Sequence, residues 1–197
     1  AVVGTHARLL SFLPAGTLAG ETFLGYLPLA HIMELVLEVT CLACGCQIGY
    51  GSPHTLTPTG IKLKPGACLG DGAVCAPTLM VFAPAVLDKV FAALNAKIAA
   101  GSPLVKALFA RGLAVGDANW ARGVVGSSLL YNAVAFKKVQ ALLGGRVKFM
   151  GTGSAPLSPK VQTFVQTCFN APVRQGYGLT ETCATSCIQL GCDNSTS

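Results

Sequence analysis

Between residues 175 and 182 the chain reads Gln175-Gly176-Tyr177-Gly178-Leu179-Thr180-Glu181-Thr182, and the residue types and their spacing invite chemistry. Two glycines one residue apart let a backbone take positive φ and leave room for a ligand against the main chain. A hydroxyl and a carboxylate follow at once, as Thr180 and Glu181. That pairing suits a phosphate-plus-magnesium site, because Mg²⁺ takes one or two protein carboxylates and fills its octahedron with phosphate oxygens and water. On spacing alone, a hairpin turn with a solvated Glu accounts for the stretch equally well. A second stretch, Gly151-Thr152-Gly153-Ser154-Ala155-Pro156-Leu157, places small residues after an apolar run, which permits close approach by a flat ring or a phosphate. His31 stands at a strand-to-helix turn, where capping or a place at the core's edge already explains a histidine.

The elements that would position these groups are readable in outline. Phe23-Leu24-Gly25-Tyr26-Leu27 is expected to form a buried strand stopped by Pro28, followed by a helix over 31–44 with Gly45 near its end. On that helix His31, Glu34 and Glu38 fall on one side, opposite an aliphatic face, so the two carboxylates are expected on a solvated surface. A short strand over 47–50 completes a βαβ unit, which implies a parallel sheet with a right-handed crossover. After a Pro/Gly-rich loop over 52–72, a strand is expected from Val74-Cys75-Ala76 and 78–82. A helix then starts at Pro84 and runs to about residue 100, with Val86, Leu87, Val90, Leu94 and Ile98 inward. Further helices are expected over 102–112, 129–143 and from Ser158-Pro159 to about 169, with a strand at 146–150. The fold class expected is α/β, a mixed, doubly wound sheet.

Composition narrows the function classes. Of 197 residues, 52% are hydrophobic and 11% charged, which describes a chain with a large core and not a disordered one. A net charge of +6 raises nucleic acid as a partner, but the 14 basic residues are scattered and aromatics total 7%, so no nucleic-acid surface is expected. Between Asn119 and Cys192 seven basic residues accompany a single acid, Glu181, a balance that fits a polyanionic substrate. Nine cysteines is an odd number without a regular framework. Cys41, Cys44 and Cys46, and likewise Cys183, Cys187 and Cys192, read as small buried residues in a reduced compartment before they read as metal ligands. The runs 27–50 and 73–87 are broken by charges or prolines and are not expected to span a membrane. No Gly-x4-Gly-Lys-Ser/Thr loop, full Gly-x-Gly-x-x-Gly, His-Glu-x-x-His or Gly-x-Ser-x-Gly occurs.

The octet 175–182 resembles the adenylate-binding motif of the acyl-adenylate-forming (AMP-binding) superfamily. Tyr26-Leu27-Pro28-Leu29-Ala30-His31, Ala76-Pro77-Thr78-Leu79-Met80 with Pro84 and Asp88-Lys89-Val90, and the run Phe136 to Gly145 are similar to long-chain fatty acyl-CoA synthetases in particular. The resemblance covers about residues 25–189 and implies part of the large N-terminal domain of such an enzyme. It implies that Gln175, Gly176, Tyr177, Gly178, Leu179 and Thr180, with Gly153, Ser154, Ala155 and Pro156, hold the adenylate. It also implies that Glu181 binds magnesium, that Thr180 contacts phosphate, and that His31 lies near the acyl carboxylate. Ser154 stands where the family pattern has a glycine. The implied reaction uses a long-chain fatty acid, ATP with Mg²⁺, and CoA. The implied location is the cytosolic face of an organelle membrane, the endoplasmic reticulum first, reached through segments not seen here. The family's upstream phosphate loop and downstream lysine are not found in the chain, which also lacks an initiator Met. An internal portion, inactive and poorly soluble by itself, is therefore expected. A non-catalytic nucleotide-binding remnant and an aryl-CoA ligase are the alternatives.

Overall fold

The computed structural model describes residues 18–58, 60–64, 68–124 and 126–189. The reading for Cys192 falls outside them.

Strand β1 (Thr22–Gly25) is buried along its whole length, as a strand covered on both faces must be. Helix α1 (Ile32–Ala43) carries the chain back to β2 (Gln47–Tyr50), which lies parallel to β1 with Thr22 opposite Gln47. The expected βαβ unit is present. The next boundary differs from expectation. Val74 and Cys75 belong to a short helix, α2 (Asp71–Cys75), and β3 begins only at Leu79–Phe82. Asp71 fixes that helix, because its carboxylate accepts from the Ser52 amide at 3.0 Å and from the Thr55 hydroxyl.

Helix α3 (Pro84–Ala99) starts on its proline, and α4 (Pro103–Ala121) runs well past the expected end at Gly112. The glycines of α4 are points of close approach, not breaks: a Cβ on Gly112 would lie 2.9 Å from Phe136 Cζ, and one on Gly116 would lie 2.2 Å from Thr167 Cγ2. The helix expected over 129–143 is α5, in four pieces: Leu129–Tyr131, a π-turn at Asn132–Phe136, Lys137–Gln140, and a 3-10 turn at Ala141–Leu143. The broken path buries Phe136 completely, edge-on to Phe109 with ring centroids 4.9 Å apart. Strand β4 (Phe149–Thr152) starts later than expected, and α6 (Pro159–Phe169) is capped by the Ser158 hydroxyl. Strand β5 (Val173–Tyr177) and the two-residue β6 (Cys187–Ile188) complete the chain.

The six strands are ordered β2-β1-β3-β4-β5-β6, parallel except for β6. Alternation along the strands divides the core between two faces. Met80, Phe82, Met150 and Val173 join the large cluster under α3, α4, α5 and α6, while Phe23, Leu79 and Val81 meet Leu37 and Cys41 of α1. Helices on both faces and a mostly parallel sheet make the fold doubly wound, as expected.

On α1 the structure reverses a sequence expectation. Glu34 and Glu38, placed on a solvated face, are 1% and 9% exposed, whereas Leu35, Val39 and Leu42 are 43%, 41% and 68% exposed. Gly25 makes the space: a Cβ there would lie 2.8 Å from Glu34 Oε1. Tyr50 donates its hydroxyl to Glu38 Oε2 at 2.9 Å. Burial, and secondarily the charge on Glu38, pushes Glu34 up to about 7. The cysteines divide. Cys41 and Cys46 are buried as expected, Cys44 and Cys183 are half-buried, Cys187 is exposed because it sits on the outermost strand, and none of the eight among the described residues forms a disulfide. Among the described residues no group of three or more His, Cys, Asp or Glu is placed to hold a metal.

Candidate functional site

In a doubly wound sheet the chain leaves β1 for β2 on one side and enters β3 on the other, and ligands lie beyond the carboxyl ends of the strands around that reversal. The sequence-predicted residues are gathered there. His31 follows β1, 153–156 follow β4, and 178–181 follow β5. They surround two adjoining clefts.

The first is a cavity of about 320 Å³. Its lining is apolar at Met33, Val36, Leu37, Val81 and Phe149 and polar at His31, Thr152, Arg174, Thr180, Glu181 and Thr185, with His31, Thr180 and Glu181 exposed at the rim. The second, about 600 Å³, runs between Ser154-Ala155-Pro156, the stretch Gln175 to Leu179, and Cys187 to Gln189. Ser154, Gly176, Gly178, Leu179 and Ile188 line both and form the wall they share. Every residue that the resemblance assigned to the site thus borders one cleft or the other.

The local geometry differs from the sequence reading in ways that matter. Gln175, Gly176 and Tyr177 are strand, not turn, and neither Gly176 nor Gly178 takes positive φ. Gly178 is required for a different reason: a Cβ would fall 1.6 Å from the Ala184 carbonyl oxygen, where the loop after the motif folds back over it. Gly153 is close behind, with a Cβ position 3.1 Å from the Gly176 carbonyl oxygen, so β4 and β5 meet almost backbone to backbone. The left-handed position of this wall falls on Ser154, at φ +73°. A side chain there costs roughly 1–2 kcal/mol relative to its relaxed conformation.

Beyond Gly178 the chain makes a tight 3-10 turn, Thr180–Thr182, held by the Thr182 hydroxyl, which accepts from the Leu179 amide at 2.9 Å. The turn is closed by Cys183 and Ala184, both at positive φ. Thr180 and Glu181 are consequently presented outward at the rim of the first cavity, on a short rigid loop. Both offer hard oxygen donors. A single carboxylate beside a hydroxyl fits Mg²⁺, which draws its remaining ligands from phosphate and water.

His31 is the N-cap of α1, and its Nδ1 accepts from the Met33 amide at 3.2 Å. The capping explanation holds, and it also determines the tautomer. With Nδ1 accepting, the neutral ring carries its proton on Nε2, as a donor beside the first cavity.

Gln175 lines the second cleft, yet its side chain is engaged within the protein. Its Oε1 accepts from the Leu157 amide at 3.0 Å, and its Nε2 donates to Gln162 Oε1 at 2.8 Å. Gln162, Gln166 and Gln189, which support this wall, were not singled out from the sequence. The signal available was two glutamines four residues apart on a helix face otherwise made of Val161, Phe164, Val165 and Phe169.

Two neighbouring strand ends, a small-residue wall and a Thr-Glu rim form the arrangement that the octet pattern implied, and residues 1–197 match the AMP-binding enzyme family throughout. The chain belongs to the AMP-binding enzyme family. Among curated relatives it is 41% identical over 187 residues to long chain acyl-CoA synthetase 8 of Arabidopsis thaliana, covering 93% of this chain and 26% of that protein. It is 38% identical over 165 residues to long-chain-fatty-acid–CoA ligase 2 of Schizosaccharomyces pombe, covering 84% and 23%. The chain therefore spans about a quarter of the length of these AMP-binding relatives. The N-terminal domain of FACL13 from Mycobacterium tuberculosis shares the fold, with a TM-score of 0.55 at 15% identity, covering 98% of this chain and 35% of that one. Among the described residues no helix is long and apolar enough to cross a membrane.

Proposed function

We propose that this segment supplies the nucleotide wall and one face of the acyl chamber of a long-chain-fatty-acid–CoA ligase. The observation that carries the reading is the shared wall. An apolar cavity and a cleft edged by small residues adjoin at Ser154, Gly176, Gly178, Leu179 and Ile188, so an acyl chain and a nucleotide held one in each would meet there. In the first step a fatty carboxylate oxygen attacks the α-phosphorus of ATP, giving acyl-AMP and pyrophosphate. In the second the CoA thiol attacks the acyl carbonyl, giving the thioester, AMP and a proton.

Within this division the acyl chain lies against Met33, Val36, Leu37, Val81 and Phe149. An apolar slot of about 50 Å³, sharing Leu37, Val81 and Phe149, continues the chamber beneath α1. The adenine lies in the second cleft between Ser154-Ala155-Pro156 and Tyr177. The developing charge falls near Thr180, Glu181 and His31. The chain's work there is positioning and charge complementarity. His31 Nε2–H is a donor for a carboxylate or phosphate oxygen, and the positive end of α1 faces the same cavity. Glu181, with Thr180 beside it, is the group that would hold Mg²⁺, whose charge would offset that of the phosphates. The cytosolic face of an organelle membrane, the endoplasmic reticulum first, is the proposed location, and it rests on family resemblance alone.

The test has two parts. AMP and palmitoyl-AMP are titrated into the chain by calorimetry, and both are expected to bind, the acyl compound more tightly. In parallel, this chain's residues replace the matching quarter of the Arabidopsis synthetase, and fatty-acid-dependent pyrophosphate release is measured. A chimera that folds and binds ATP but releases no pyrophosphate would support a non-catalytic nucleotide-binding segment instead.

A further inference from the structure

The outer edge of β5 is closed at its upper end by a short strand and at its lower end by side chains. β6 is two residues long and pairs with β5 only at Gly176 and Tyr177. Below it, the backbone groups of Val173 face the same edge. They are taken by two glutamines one turn apart on α6: Gln162 Nε2 donates to the Val173 carbonyl at 2.9 Å, and Gln166 Oε1 accepts from the Val173 amide at 2.9 Å. At Gln175 the edge is half side chain and half backbone: its amide donates to Gln189 Oε1 at 2.9 Å, while its carbonyl accepts from the Gln189 backbone amide at 3.0 Å.

Gln162 is the junction of this system and is fully buried. Its Nε2 also donates to Gln189 Oε1 at 3.2 Å, and its Oε1 accepts from Gln175 Nε2 at 2.8 Å. Gln175 in turn holds both backbone groups of Leu157, accepting from the amide at 3.0 Å and donating to the carbonyl at 3.4 Å. The orientation of every amide is dictated from the backbone. A carbonyl at Val173 can only accept, so Gln162 presents its NH₂ there and its oxygen to Gln175. An amide at Leu157 can only donate, so Gln175 presents its oxygen there and its NH₂ to Gln162. One buried amide therefore touches, directly or through one further side chain, all three walls of the second cleft: the loop ending at Leu157, strand β5, and the segment at Gln189. Fully satisfied polar networks of this kind specify geometry more than they add stability.

We propose that Gln162 is a positioning residue that sets the separation of those three walls, and so the width of the slot available to a planar nucleobase. It contacts no ligand itself. The nucleobase part rests on the nucleotide reading above, whereas the positioning part stands on the network alone.

Gln162→Met keeps the volume and removes both ends of the junction. Gln166→Met, four residues on, strips one bond from Val173 and one from Arg174 Nη1 (3.2 Å) but none that the network makes to Gln175, Gln189 or Leu157, so it controls for loss of a buried amide. Two quantities are read in the 197-residue chain: hydrogen exchange at the Leu157 amide, and AMP affinity by calorimetry. Gln162→Met is expected to speed Leu157 exchange about tenfold and to weaken AMP about tenfold, the scale of one or two lost hydrogen bonds. Gln166→Met is expected to leave both within about twofold, even where its thermal midpoint falls as far. Equal effects from the two variants, or an unmoved Leu157 amide in Gln162→Met, would overturn the proposal. Should Gln162→Met not fold, Gln175→Glu severs the same link from its half-exposed end: it keeps an oxygen for the Leu157 amide, sets a second oxygen against Gln162 Oε1, and must also speed Leu157 exchange. If the unaltered chain binds no AMP, the nucleotide reading fails, and Leu157 exchange still decides whether Gln162 positions the walls.

Discussion

Two residues at the site make separable predictions. Glu181 is presented at the cavity rim on a loop closed by Thr182, and Glu181→Gln removes its charge while preserving its shape. In the chimera, loss of one well-placed electrostatic group is expected to slow pyrophosphate release about 10²–10³-fold, and added Mg²⁺ should recover part of it. Thioester formation from supplied acyl-AMP should suffer far less, since pyrophosphate has then left. An effect on pyrophosphate release below about threefold, under 1 kcal/mol, would return Glu181 to the status of a surface group. Ser154 makes the opposite kind of prediction. Its φ of +73° is one that glycine adopts freely, so Ser154→Gly should stabilise the chain by about 0.5–1 kcal/mol in urea unfolding, after the greater freedom of an unfolded glycine is deducted. Which residues gather at the site was legible in the octet and in the small residues at 151–157. How they work was not. The positive φ expected of the motif's glycines falls on Ser154, Cys183 and Ala184, because β5 extends straight through Gln175, Gly176 and Tyr177 before the chain turns.

Helix α1 shows at the next scale what amphipathic patterning leaves unsaid. Its period is helical, as read, yet its carboxylates point inward because Gly25, an unremarkable strand residue in the sequence, leaves a gap that Glu34 fills. The consequence can be measured. Glu34 is held at about 7 when folded against an ordinary value of 4.5, so over that interval the folded chain keeps a proton that the unfolded chain releases. Its contribution is complete below about pH 4.5 and is lost as pH rises through about 7, on the order of 3 kcal/mol in all. Urea midpoints between pH 5 and 8 should fall with rising pH, and Glu34→Gln should flatten that slope. A slope unchanged in the variant would place the titration elsewhere. In α4, Gly116→Ala drives a methyl against Thr167 and should destabilise by about 1–3 kcal/mol in thermal unfolding. Helix ends at proline, as in α3 and α6, were legible because proline acts locally. The length of α4 was not, because its glycines serve a partner far along the sequence.

For the molecule as a whole, the doubly wound sheet was legible from βαβ spacing and apolar runs, while the lower end of the closing edge at β5 was not, since side chains in place of a strand leave no periodic trace. The outward stripe Leu35, Val39 and Leu42 predicts self-association. Sedimentation should show it growing with concentration, and Leu42→Glu should suppress it; equal sedimentation of both would remove the stripe from the account. The first cavity has a consequence of another sort. His31 and Glu181, on its rim, come from near the two ends of the described residues, and β1, β3, β4 and β5 must all be in register before its walls exist. No contiguous subset of elements encloses it, so occupancy is conditional on completed folding. A ligand bound there acts as a thermodynamic latch on the entire topology, adding about 2.7 kcal/mol at a hundredfold excess over its dissociation constant, and it withdraws that support the moment either end of the chain lets go.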